Sequence, residues 1–339
     1  MRSPPAPVSP ASGTLLLATP VKRPAKRIVA GVSAAGFTDL GAIAVLWAGL
    51  GYAAWTDWRR REVDDHVWVI MGALGLLLGA GRIWAGAGAA SGGSLWRELG
   101  LWVLVASFGL EHFLPWDERL GRWREWLPGI IELGLYLVVG GAVVAVAFAD
   151  GFVPGVVAAL AAYLGILLAR VLFELRLLYG GADAKALMVA GVLLPLWSTP
   201  WLPLPRSATA ILGAYPFALT LLMDGAICAI VIPIGLAVRN LRAGDFEFPR
   251  GFTGFVLRVA DLPDRFVWVK DPTFDAEADE AETSEDDRKV RERQRDELLA
   301  RGVEKVWVTP QLPFVILLAA GAVAGVVLGN IVFDLAALV

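Results

Sequence analysis

The sequence predicts an all-α polytopic membrane protein with about 6–8 transmembrane helices and one cytoplasmic insertion. Three observations predict it. Hydrophobic residues make up 57% of the 339-residue chain, above the roughly 45–50% usual in soluble domains, and mean hydropathy is +0.61. Most of the charge is gathered into a few short runs. Between those runs lie apolar stretches of about 20 residues, the length that crosses a hydrocarbon layer as a helix. Helix is required because lipid offers no hydrogen bonds to an open backbone.

Residues 1–28 are rich in Pro, Ser and Ala and carry Arg2, Lys22, Arg23, Lys26 and Arg27; they read as a disordered tail. A transmembrane core follows over 29–238, with apolar segments at 36–57, 66–86, 95–114, 129–149, 152–175, 184–198 and 212–238. Residues 239–311 form the one sizeable soluble segment. Its stretch Gly251–Lys270 alternates enough apolar residues for short strands or a hairpin. Residues 271–287 hold nine acids and no base, an acidic loop, and 288–301 read as a charged, solvated helix. Residues 312–339 supply the last apolar segment, 313–335. Tryptophans near segment ends, among them Trp55, Trp58, Trp68, Trp96, Trp116, Trp123, Trp126, Trp197 and Trp201, read as an interfacial belt.

Basic residues set the orientation. With the tail outside, the inner loops hold 22 of the 30 Lys and Arg, 13 of them in 239–311. This places residues 239–311, Asp57 and Asp183 at the cytoplasmic face of the plasma membrane, with both termini outside.

Several chemistries lack their signatures. Cys228 is the single cysteine, so intramolecular disulfides and cysteine-rich metal sites are excluded. His66 and His112 fit no metal-ligand spacing such as HExxH. There is no GxSxG, Ser91 has no base in step with it, and no P-loop or GxGxxG occurs. The lipid bilayer is one expected partner, a nucleic acid is not, and the oligomeric state is left open.

Carboxylates are expensive near hydrocarbon and usually have a task there. Asp57, in Thr56–Trp68 (TDWRRREVDDHVW), sits at the inner end of a helix, where the dipole disfavours it; Arg59, Arg60 and Arg61 follow and can offset its charge. Asp183 follows Gly180-Gly181-Ala182. The glycines allow a sharp turn and close backbone approach, and Asp183 is also a natural N-cap for a helix beginning at Ala184. Lys185 reads as a snorkelling interfacial lysine or as a neighbour that biases the Asp183 charge. Asp224 lies mid-segment and reads as an interhelical hydrogen-bonding group or a proton-path residue; Asp39 and Glu132 lie near helix ends.

The two segments TDWRRREVDDHVW and YGGADAKALMVAGVLLP together resemble the type IV prepilin and preflagellin (prearchaellin) peptidases, the GxGD group of intramembrane aspartic peptidases, and the archaeal branch above all. The segment KVWVTPQLPFVILL is similar to that branch's approach to its last helix. Asp57 matches the first aspartate of the family and Asp183 the second, with Gly180, Gly181 and Lys185 in support. Ala182 departs from strict GxGD, and Asp64 stands where many members have proline. The resemblance implies a hydrolase of about six spans with two catalytic aspartates and no cofactor. It implies precursors with type IV pilin-like signal peptides as partners, cut just before the apolar stretch. On that reading Gly181→Val should stop cleavage, and the substrate-binding residues are unknown. A transporter or channel lined by Asp57, Asp183 and Asp224, and a non-catalytic assembly protein docking through 239–311, are the alternatives.

Overall fold

The computed structural model describes residues 34–86, 92–112, 128–178, 180–197, 199–202, 215–270 and 284–336. The tail, Ser91, Trp116, Trp123, Trp126 and positions 271–283 of the acidic loop lie outside them.

Every predicted apolar segment is helical over most of its described length. In chain order they form α1 (Ala34–Arg60), α2 (Asp65–Gly86), α3 (Gly92–Glu111), α4 (Pro128–Asp150), α5 (Pro154–Glu174), α6 (Gly181–Leu193), α7 (Phe217–Ala229) and α8 (Val231–Ala243). After the soluble segment, in which α9 (Ser284–Ala300) lies, come α10 (Phe314–Val327) and α11 (Ile331–Ala336). The protein is an all-α polytopic membrane protein: α1, α2, α4, α5 and the α7–α8 run are long and apolar enough to cross a bilayer. The α7–α8 run is broken at Ile230. Pro233 lacks the N–H that would bond the Ala229 carbonyl four residues earlier, which accounts for the break.

The thirteen-residue α6 spans only about 20 Å, yet it is the central element, touching α1, α2, α3, α5, α7 and α10. From Asp183 to Leu193 only Lys185 is not buried. A helix surrounded by protein on all sides presents no apolar surface to lipid, which explains how so short a segment serves. The core around it holds Leu46, Leu50, Trp68, Trp102, Ile166 and Phe217, each shielded to below 2% exposure. Close approach is set by glycines: a side chain on Gly79 would overlap the Trp102 ring at 2.1 Å, and one on Gly49 would overlap Met71 Sδ at 2.2 Å. Trp55, Trp58, Trp96 and Trp201 are exposed as a belt requires, but Trp68 and Trp197 are buried. Trp197 belongs to the interior because its Nε1–H donates to the Val326 carbonyl at 3.2 Å.

Polar contacts confirm that successive helices alternate in direction. Arg82 at the end of α2 pairs with Asp39 at the start of α1 at 2.7 Å and donates to the Leu193 carbonyl at the end of α6. Arg97 on α3 pairs with Asp150 at the end of α4 at 2.9 Å. At the other end, Arg170 bridges Glu132 and Glu174 at 3.0 and 2.7 Å.

The soluble segment is not a simple hairpin. The strands β3 (Phe255–Arg258) and β4 (Val267–Val269) do not pair with each other; β5 (Lys305–Pro310) lies between them, antiparallel to both, with Phe255 opposite Val308 and Val267 opposite Pro310. (The two-residue β1, Leu196–Trp197, and β2, Tyr215–Pro216, pair separately beside α7.) The KVWVTP run, read from sequence only as an approach to the last helix, is therefore the central strand of a small sheet. Its core is Leu257, Val259, Leu262, Val308 and Leu298 of α9. Asn240 near the end of α8, 2% exposed, donates to the Gly251 and Gly254 carbonyls at 2.8 Å each and fixes the sheet to the membrane helices.

Candidate functional site

Asp57 lies in the last turn of α1 and Asp183 in the first turn of α6, and α1 and α6 touch. The alternation of helix direction brings these two ends to the same face of the bundle. The carboxylates are within electrostatic reach of each other, although 126 positions separate them in the chain. Asp183 is buried at 8% exposure and Asp57 half-buried.

The N-cap expectation for Asp183 is overturned. Helix α6 begins at Gly181, with Gly180 as N-cap and no side-chain cap bond, so Asp183 occupies the third helical position. From there its carboxylate reaches back to accept the Gly180 N–H, the reciprocal half of a capping box. The glycines also act differently from the sequence expectation. Gly180 is extended at φ −90°, ψ 126°, a conformation open to any residue. Its importance is steric: a methyl there would lie 2.6 Å from Asp183 Oδ2 and 3.2 Å from Asp183 Cγ. Gly181 is exposed, and a side chain there would meet nothing within 4 Å. No clash within the protein therefore supports the expected loss in Gly181→Val.

Lys185 is not a free snorkelling side chain. Its Nζ pairs with Asp65 Oδ1 at the first residue of α2, so the pair ties α6 to α2 two residues from Asp183. Of the three arginines after Asp57, Arg61 is the one whose charge acts on it. Arg61 has φ +61°, a left-handed conformation rare outside glycine. Its N–H closes the helix on the Asp57 carbonyl at 3.0 Å. The guanidinium donates to the Gln311 carbonyl and lies 4.6 Å over the Phe266 ring. Arg61 thus links the Asp57 turn to the soluble sheet, and neither Gln311 nor Phe266 could be matched to it from sequence spacing.

Asp224 is elsewhere. It is fully buried; Oδ1 accepts the Ile331 N–H at 3.0 Å, and Asp334, also fully buried, lies within its electrostatic reach. Asn330 donates to Thr220 Oγ1 at 3.2 Å in the same cluster. Asp334 and Asn330 carried no sequence signal, because only the turn between α10 and α11 brings them to α7. The interhelical reading of Asp224 fits this geometry. His112 Nδ1–H donates to the Phe108 carbonyl and Nε2 shares a hydrogen bond with Tyr136 Oη, both at 2.9 Å, a tie between α3 and α4. No group of three or more His, Cys, Asp or Glu suited to a metal occurs among the described residues.

No protein-family model matches the chain, and no curated protein matches it.

Proposed function

We propose that the protein is an aspartic endopeptidase that removes the short N-terminal leader of prepilin- or preflagellin-like precursors at the cytoplasmic face of the cell membrane. One observation carries the reading: Asp57 and Asp183, distant in sequence, come within electrostatic reach of each other at one end of the bundle, with Asp183 on the buried central helix. Two neighbouring carboxylates cannot both ionise cheaply, so the pair holds one proton between them and titrates as a unit. The ionised member takes a proton from water as the water oxygen attacks the scissile carbonyl carbon. The protonated member hydrogen-bonds the carbonyl oxygen as its charge develops. Collapse of the tetrahedral intermediate breaks the C–N bond, and a carboxyl proton passes to the leaving amine. No cofactor enters this scheme. The exposed backbone at Gly181 and the position of the pair at a helix end suit a substrate segment that is extended there, such as the junction between a charged leader and its apolar stretch.

The transporter alternative needs Asp57, Asp183 and Asp224 along one path. Asp224 instead bonds the start of α11 and shares its surroundings with Asp334, which disfavours that arrangement. The deciding experiment is co-expression with a pilin-like precursor, read as a gel shift and by N-terminal sequencing of the product. Asp57→Asn and Asp183→Asn should each abolish the shift while the protein stays in the membrane. The double variant should be no worse, since a dyad acts as one unit. Cleavage by either single variant at the wild-type rate would remove that residue from the site.

A further inference from the structure

A cavity of about 500 Å3 opens between the end of α1 and the soluble segment, beside the Asp57 turn. Its walls carry five guanidinium groups: Arg59 and Arg60 from the last turn of α1, Arg265 from the approach to β4, and Arg288 and Arg291 from α9. Among the described residues two carboxylates, Glu62 and Asp264, share the lining. Arg288 pairs with Glu292 one turn on at 3.3 Å and approaches Asp264 at 3.8 Å. The described lining residues therefore carry a formal sum of +3, which Glu292 beside Arg288 lowers to +2. Arg291 is 5% exposed and lies 5.5 Å from the Phe266 ring, so its cation is held inward and not spread into solvent. Like charges gathered at a concave surface are unfavourable until an anion enters among them.

The height of the cavity identifies the anion. Arg59 and Arg60 end the membrane-spanning α1. Trp55 and Trp58 on the same turns are 51% and 57% exposed, and Arg59 lies 5.2 Å over the Trp55 ring. Exposed tryptophans beside arginines at a span end mark the headgroup level of the bilayer. Guanidinium forks match phosphate oxygens in pairs. We infer that this arginine-lined cavity binds the phosphate headgroup of an anionic glycerophospholipid and so latches the soluble segment onto the membrane. The phosphate bridges α1 on one wall and α9 with Arg265 on the other. A volume of this size accommodates a small-molecule headgroup.

The test uses the full-length, delipidated protein and counts bound lipids by native mass spectrometry, so it needs no substrate. Phosphatidylglycerol and phosphatidylcholine of identical chains are titrated separately. One phosphatidylglycerol should be retained in preference to phosphatidylcholine. Arg60→Gln with Arg265→Gln, both exposed positions, should weaken that retention roughly tenfold to thirtyfold. Arg242→Gln with Arg250→Gln, outside the cavity, should leave it within about twofold. If the cavity variant does not fold, the wild-type preference between the two lipids still decides. Equal retention of both lipids, or equal loss in both double variants, overturns the site. Displacement of the lipid by inorganic phosphate at equal concentration overturns the lipid assignment and leaves a soluble-anion site.

Discussion

A single methyl at Gly180 should separate catalysis from stability. In Gly180→Ala the new Cβ would stand 2.6 Å from Asp183 Oδ2. A relaxed carbon–oxygen contact is about 3.3 Å, so the carboxylate must retreat by about 0.7 Å. The clash is with the tip of a side chain, and the Gly180 backbone angles suit alanine, so little of the fold resists. Removing glycine freedom from the unfolded chain stabilises by about 0.4–1 kcal/mol. A stretched bond between the Gly180 N–H and the carboxylate costs at most about 1.5–3 kcal/mol. The net loss should be about 1–2 kcal/mol, a melting shift of only a few degrees. Catalysis is less forgiving: misplacing a reacting group by about 1 Å costs on the order of 100-fold, so a drop of roughly 10- to 100-fold in cleavage rate is expected. Gly181→Ala, with open space around it, should fold normally and cleave within about threefold of wild type. The assay is initial-rate cleavage of a pilin-like precursor in detergent, beside thermal unfolding of the same samples. Wild-type cleavage by Gly180→Ala would refute the placement of the Asp183 carboxylate at the reacting centre. Equal losses in both glycine variants would refute the steric argument.

Three further outcomes are expected. In Gly321→Ala the methyl would meet Gly225 N at 2.5 Å and Leu221 O at 2.8 Å; backbone cannot step aside, so Tm should fall by roughly 2–5 °C, and an unchanged Tm would mean α7 and α10 are not so close. Asp224→Asn keeps an acceptor for the Ile331 N–H and should preserve cleavage, whereas Asp224→Ala should cost about 1–3 kcal/mol of stability; loss of cleavage in a stable Asp224→Asn protein would give that residue a chemical role. For topology, Glu304→Cys in a Cys228→Ser background should label only from the cytoplasmic side, and labelling from outside would reverse the orientation.

The membrane class, the helical segments and both aspartates were legible in the sequence, because hydropathy over about 20 residues is a local property and a carboxylate beside an apolar run stands out by itself. The charged helix at 288–301 was legible for the same reason. What the residues around each aspartate do was decided by tertiary structure. Asp183 looked like a cap, but the helix starts at Gly181, three residues before the expected Ala184, and its carboxylate turns back to Gly180. Lys185 looked like a snorkelling interfacial lysine, but α2 brings Asp65 to it. Arg61 carried no mark distinguishing it from Arg59 and Arg60 until its reach to Gln311, 250 positions away, was formed. Strand β5 was hidden because its partners lie on segments whose order in the sheet is not their order in the chain. A sequence displays which groups are costly where they stand; which partners offset that cost is set by contacts between distant segments, and those exist only once the chain has folded.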